Sequence, residues 1–333
     1  LVDKPAGKTS RDVVERIQKT LMPGGRRRRR GAPRFRCGHA GTLDPLATGL
    51  LIILVGTGTR LSHYLLGHDK SYLAQLVFGA TTDTLDSDGS ITEHITPDFD
   101  LTSLDAALVK RRGLQNQIPP MISAIKVQGK PLYRRVRDGE EVAPPEPRPV
   151  TILELERTSD LVQDDSQPAL AHTEVRVRCS SGTYIRSLAR DLGDDLATCA
   201  HIGALRRLDI GEFQVSDALS GADLGDRDKV LAALMPLNEA LPETPCHDVT
   251  NTEAEGLRCG HQPLEDWLER LESPPASLVA GQVRLWRMAD TKGALVALGR
   301  MEADPEDPDK ERPRTAVVFP DSSSQAEGVD SCS

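Results

Sequence analysis

The six residues Leu50-Leu-Ile-Ile-Leu-Val55 carry no polar side chain and lie between Gly49 and Gly56. A run this short, this branched and bounded by glycines predicts a buried strand. The chain must therefore place it in an interior and cover it. Immediately before it stands Gly38-His-Ala-Gly-Thr-Leu-Asp-Pro-Leu-Ala-Thr-Gly49. That stretch sets one acid, Asp44, in a turn between Thr42 and Pro45, with Gly38, Gly41 and Gly49 giving the backbone room. An acid at the mouth of a rigid strand is placed for chemistry, because loops on a fixed scaffold carry sites. The same residues also spell an ordinary Asp-Pro turn.

With 333 residues the chain is long enough for two domains. Its 38% hydrophobic and 27% charged residues fit a globular protein. No apolar run approaches the roughly 20 residues that span a bilayer, and the opening Leu1-Val-Asp-Lys-Pro5 is not a signal-peptide core. Cysteines at 37, 179, 199, 246, 259 and 332 show no Cys-x-x-Cys spacing. Zinc and thioredoxin-type chemistry thus lack support, and scattered thiols point to a reducing cytoplasm. The net charge of −9 hides an asymmetry. Residues 1–75 carry 14 Lys/Arg against 5 Asp/Glu, whereas residues 216–333 carry 11 against 23. The half with Asp44 is the one that attracts a polyanion.

Thr9 or Ser10 caps an expected helix to about Met22, with Val13, Val14, Ile17 and Leu21 on one face. Five arginines, Arg26–Arg30, are either a phosphate-binding arm or a solvated loop. Residues 57–66 suggest a short helix. Residues 70–79 alternate as a strand, as do 149–156 and 172–179. Thr81–Gly89 is an acidic, turn-rich loop that lacks the calcium-binding spacing, and 102–113 is helical. Residues 110–148 hold 9 Lys/Arg, 4 Asp/Glu and six prolines, the composition of a surface-gripping arm. Residues 183–196 form a helix burying Ile185, Leu188, Ala189, Leu192 and Leu196, with Tyr184 and Arg186 at its start. Strands are expected at 276–288, 293–301 and 314–319.

Six motifs then stand in one order: Lys4-Pro5, Gly38–Gly49, Lys70-Ser-Tyr72, Thr82–Gly89, Cys179-Ser-Ser-Gly-Thr-Tyr-Ile-Arg186 and Leu205-Arg-Arg207. Residues 1–215 thereby resemble the TruB-type tRNA pseudouridine synthases. The resemblance implies a mixed α/β (α+β) synthase fold on a central, largely antiparallel sheet. It implies a catalytic domain at 1–215, within which the basic, proline-rich composition of 110–148 marks an RNA-gripping insertion and after which the acidic, loop-rich composition of 216–245 marks a linker. A small PUA-like β domain follows at 246–320, and a disordered tail at 321–333. The implied activity is uridine-to-pseudouridine isomerisation at position 55 in the T-loop of tRNA, by a cytoplasmic monomer. No cofactor, metal, membrane or obligatory protein partner is implied. Asp44 matches the catalytic aspartate, Tyr72 the tyrosine that stacks on the base and assists at C5, and Arg186 the arginine paired with the aspartate. His39, Tyr184, Leu205 and Lys4 match substrate-binding positions; Asp86 joins them as an acid that holds the arginine. Where the family has an aromatic residue before Ser-Ala in the arm, this chain has Ile122.

The chemistry asks for these residue types. A stacked uridine must be flipped out at a cost of a few kcal/mol, and an aromatic ring returns about 1–3 kcal/mol by stacking. An aspartate that attacks the sugar or takes a sugar proton must be ionised. Desolvation opposes ionisation, and a guanidinium restores it. Two other readings share the basic half: a guide-RNA-dependent synthase within a ribonucleoprotein, against which the arm argues, and an RNA-binding, tRNA-folding chaperone.

Overall fold

The computed structural model describes residues 1–22, 35–123, 125–127, 129–140, 142–163, 169–262, 276–277, 284–303 and 311–320. Arg26–Arg30 and residues 321–333 lie outside the described residues.

The chain opens with β1 (Val2–Lys4) and α1 (Ser10–Leu21). Thr9 and Asp12 start α1 with a capping box: Thr9 Oγ1 accepts from Asp12 N at 3.1 Å, and Thr9 N donates to the Asp12 carboxylate at 2.8 Å. Val13, Val14 and Ile17 are buried, as their spacing predicts. β2 (Cys37–Ala40) and β3 (Thr48–Val55) pair antiparallel around the Asp44 loop. The expected helix at 57–66 is a 3-10 turn, Gly56–Leu61, running into α2 (Ser62–Leu66).

Next come β4 (Lys70–Phe78) and the hairpin β5 (Ala80–Thr82) with β6 (Ile91–His94). α3 (Leu101–Lys110), capped by Asp100, precedes β7 (Gly113–Gln117). The arm contains a small hairpin, β8 (Lys126–Val127) with β9 (Lys130–Pro131), and α4 (Leu132–Arg137). β10 (Arg148–Arg157), β11 (Val162–Gln163) and β12 (Ala171–Cys179) follow, then α5 (Ile185–Asp195) and the long β13 (Ala200–Ile210).

β14 (Phe213–Gln214) pairs with the end of β13, and apart from the β5–β6 and β8–β9 hairpins these strands form one mixed sheet along the path β15-β1-β3-β13-β4-β12-β10-β7, where β15 is Leu219–Ser220. Only the β1–β15 and β3–β13 pairs along that path are parallel, so the sheet is largely antiparallel. On one face, Tyr72, Ala74, Leu76 and Phe78 of β4 pack with Leu104 and Leu108 of α3 and Ile185, Leu188 and Leu192 of α5. The alternation read in β4 and the helical face read in α5 both face this core.

The run at 50–55 is apolar throughout because both faces of β3 are covered. Leu50, Ile52 and Leu54 enter one cluster, and Leu51 enters another with Val13 and Ile17 of α1. Each fully buried leucine or isoleucine contributes roughly 1.5–3 kcal/mol. Residues 216–245 are built onto this body: β15 extends the sheet, and α6 (Arg227–Ala232) buries Val230 beside Val13 and Ile17.

A separate small sheet runs β16-β18-β19-β20, from β16 (Cys246–Asp248), β18 (Arg284–Ala289), β19 (Leu295–Ala303) and β20 (Glu311–Val318), with β17 (Ala276–Ser277) paired to β18. Helix α7 (Asn251–Arg258) packs against it through Ala254 and Leu257. Leu295, Leu298 and Phe319 share a core cluster with Leu50, Ile52 and Leu54, which joins the small sheet to the large one.

Candidate active site

Asp44 sits on the β2–β3 loop, and that loop is held from several sides. Lys4 is fully buried and its Nζ donates to the carbonyls of Pro5, Lys8 and Pro45 at 3.0, 2.6 and 3.2 Å. Ser10 Oγ donates to Leu43 O at 3.2 Å and accepts from Leu43 N at 2.9 Å. Gly7 N donates to Pro45 O at 2.9 Å. Despite the glycines on either side, the turn is therefore a fixed one. Gly49, at φ +101°, is where it is because a Cβ would stand 2.1 Å from the Arg207 carbonyl oxygen. It serves close packing with β13.

Asp44 faces Arg186, the second residue of α5. Arg186 Nη2 donates to Asp44 Oδ1 at 3.2 Å, and Nε lies 2.9 Å from Oδ2, off the N–H axis. The guanidinium is anchored elsewhere too: Nη1 donates to Thr84 O at 2.7 Å and Nη2 to Ile122 O at 3.0 Å, while Asp86 Oδ2 is 3.6 Å from Nε. The acidic loop is shaped for this. Leu85 takes a left-handed φ of +62°, which costs about 1–3 kcal/mol in a non-glycine residue and turns Thr84 O and Asp86 onto the same arginine. Thr84 Oγ1 donates to Asp86 Oδ1 at 2.5 Å and Asp88 N donates to the same oxygen at 3.2 Å, so Asp86 is buried with Oδ1 hydrogen-bonded twice.

Arg186 keeps 5% of its side chain exposed and Asp44 keeps 31%. The guanidinium is inside, whereas the carboxylate is half-buried and keeps contact with solvent. That burial pushes the Asp44 carboxyl above its ordinary value. Arg186 and, more weakly, Lys4 oppose the shift, while Asp86 adds to it.

Tyr72, on β4, is 7% exposed and packs with Leu43, Ala47 and Leu205. Desolvation pushes its phenol up to about 12, with Arg207 beside it pulling the other way. Leu205 lies on β13 beside β4, opposite Ala74. His39 is on β2, opposite Ile53; its Nδ1 is buried without a hydrogen-bond partner, and desolvation lowers the imidazole below its ordinary value. Tyr184 caps α5. Its backbone is locked by Gln117, whose Oε1 accepts from Tyr184 N at 2.8 Å and whose Nε2 donates to Tyr184 O at 3.1 Å. The Arg148 guanidinium lies 4.7 Å from the Tyr184 ring centroid.

Asp44, Arg186 and Asp86 thus form one ion cluster, and Tyr72 and Leu205 belong to the apolar core that also holds Leu43 and Ile185, the chain neighbours of Asp44 and Arg186. Lys4, expected among the substrate-binding positions, has its ammonium enclosed by three carbonyls. The sequence argument did not assign Gln117, the carbonyls of Thr84 and Ile122, or Arg207. Gln117 ends an edge strand at the base of the arm, a position whose polar side chain reads as surface although it is 1% exposed.

A family model for the TruB family pseudouridylate synthase N-terminal domain matches residues 28–185, and one for the tRNA pseudouridylate synthase B C-terminal domain matches 186–242. The chain is 40% identical over 271 residues to the tRNA pseudouridine synthase B of Corynebacterium efficiens, covering 81% of this chain and 83% of that one. It is 39% identical over 294 residues to the same-named protein of Thermobifida fusca, covering 88% and 94%. Among solved structures, a Cbf5-Nop10-Gar1 complex contains a chain that superposes with a TM-score of 0.60 at 22% identity, covering 96% of this chain and 83% of that one, a likeness of fold. With the two models and these relatives spanning most of its length, the chain belongs to the TruB family of pseudouridylate synthases.

Proposed function

We propose that the Asp44 cleft receives one flipped uridine from the T-loop of tRNA, at position 55, and that the chain acts on it as a monomer in the cytoplasm. The reaction is the isomerisation of uridine to pseudouridine in tRNA. The observation that carries the reading is the Asp44–Arg186 pair, in which a buried guanidinium presents a partly exposed carboxylate.

The C1′–N1 bond breaks, the uracil turns, and a C1′–C5 bond forms; C5 loses its proton and N1 gains one. Asp44 acts as the anion, either on C1′ or on a sugar proton. Arg186 holds its orientation with a rigid fork and favours the charged form. Tyr72 presents its ring to the base and its phenol near C5, in a setting that keeps the phenol protonated at neutral pH. Tyr184 and His39 contact the neighbouring nucleotides, and Leu205 closes the apolar side. Lys4 acts by fixing the loop at Pro45.

The arm supports free tRNA as the substrate. Arg134 and Arg137 of α4 are exposed on it, and its base is tied to α5 through Ile118 O, which accepts from Ser187 Oγ at 2.8 Å and Arg190 Nη2 at 3.1 Å. A guide-RNA-dependent role is not favoured by the relatives, which are tRNA enzymes by name. The test is to incubate purified protein with unmodified tRNA and map pseudouridine by sequence. Conversion at position 55 without added protein or guide RNA is expected; conversion elsewhere, or only with a guide, would overturn the T-loop assignment.

A further inference from the structure

One buried residue reaches both flanks of the Asp44 loop and the strand that carries Tyr72. Arg207, on β13, is 1% exposed. Its Nε donates to Leu50 O at 2.7 Å, just after the loop, and its Nη2 donates to Gly41 O at 3.1 Å, just before Asp44. Thr42 O lies 3.5 Å from Nη1. Its backbone contributes as well: Arg207 stands opposite Gly49 on β3 and opposite Tyr72 on β4, and its main chain is what forbids a side chain at Gly49. Among the described residues its guanidinium makes no ion pair with a carboxylate. A permanent charge enclosed by carbonyl dipoles is costly to bury, whereas an apolar side chain of similar volume would not be. What the guanidinium adds over such a side chain is geometry, because its planar donors bond two segments nine residues apart at once.

We infer that Arg207 is a positioning residue for the isomerisation, pinning the Gly41–Leu50 loop so that Asp44 and Tyr72 keep a fixed separation across the bound base. The inference rests on the reading of Asp44 and Tyr72 as the working pair. A lysine at 207 keeps the charge but, having a single ammonium on a flexible stem, cannot reproduce the fork. A misplacement of about 1 Å at a reacting pair costs on the order of 100-fold in rate.

The test compares Arg207→Lys with Val230→Ala, a core change on α6 that touches neither loop nor cleft. Melting temperature, tRNA affinity and the single-turnover rate of pseudouridine formation are measured at a temperature where all proteins are folded. Arg207→Lys is expected to bind tRNA within about 2-fold of wild type yet to turn over about 100-fold more slowly. Val230→Ala should lose melting temperature with little change in rate. A second variant, Gly41→Ala, disturbs the same contact from the loop side. Gly41 has φ +92°, where any side chain strains the backbone that presents its carbonyl to Arg207, although a Cβ there would meet Arg207 Nη1 at an ordinary 3.5 Å. The same split between binding and rate is expected of it, and it serves as the test if Arg207→Lys does not fold. Rates within about 3-fold of wild type in the folded variants, or a rate loss matched by Val230→Ala, overturn the inference. Failure of wild type to modify tRNA would instead overturn the functional reading.

Discussion

Asp44 combines two opposed influences, and the balance is measurable. Enclosure by protein raises its proton affinity, while Arg186 at 2.9 Å lowers it, and enclosure wins. Protonation removes the anion that the proposed role of Asp44 requires. The rate should therefore fall as pH drops, with a midpoint above the ordinary aspartate value of 3.8. Single-turnover rates across mildly acidic pH check this; a midpoint at or below 3.8 contradicts it. The Asp44–Arg186 pairing was legible because both residues stand in motifs. Arg207 stands in a motif too, but nothing in an Arg-Arg pair tells which residue faces inward. Arg206 forms an ion pair with Asp3 at 2.7 Å and is partly exposed, while its neighbour bonds to buried carbonyls.

The elements whose apolar residues follow a regular period were readable: α1, α5, β4 and β12 lie within a residue or two of expectation. β13 was not identified as a strand, because His201 and Arg207 occupy interior positions and mask its alternation. β15 joins the sheet through only two residues, too few for any pattern. The β3–β13 contact gives a prediction at this scale. Gly49→Ala should destabilise the fold by about 3 kcal/mol, since strain from φ +101° adds to a clash with main chain that cannot move aside. Chemical denaturation checks it, and a loss under about 1 kcal/mol would mean that β13 yields easily. The arm gives another. Replacing Arg134 and Arg137 with alanine should weaken tRNA binding and flatten its salt dependence by about one unit of log–log slope per lost phosphate contact. An unchanged slope would place the RNA elsewhere.

Over the whole molecule, charge and architecture divide the work. The basic N-terminal half holds the cleft and arm, and the acidic C-terminal part shares a core with β3 through Leu295, Leu298 and Phe319. The strand that follows the Asp44 loop is thus packed by α1 on one side and the small sheet on the other. This long-range covering was not readable from the apolar run alone, which shows that β3 is buried but not by what. The account's central claim is that this scaffold exists to hold one carboxylate against a flipped uridine. Asp44→Asn tests it directly, since the amide keeps the shape and removes the charge. In parallel assays of tRNA binding and pseudouridine formation, the variant should bind within a few-fold of wild type and form no pseudouridine above background. Pseudouridine formation at the wild-type rate by Asp44→Asn would contradict the account.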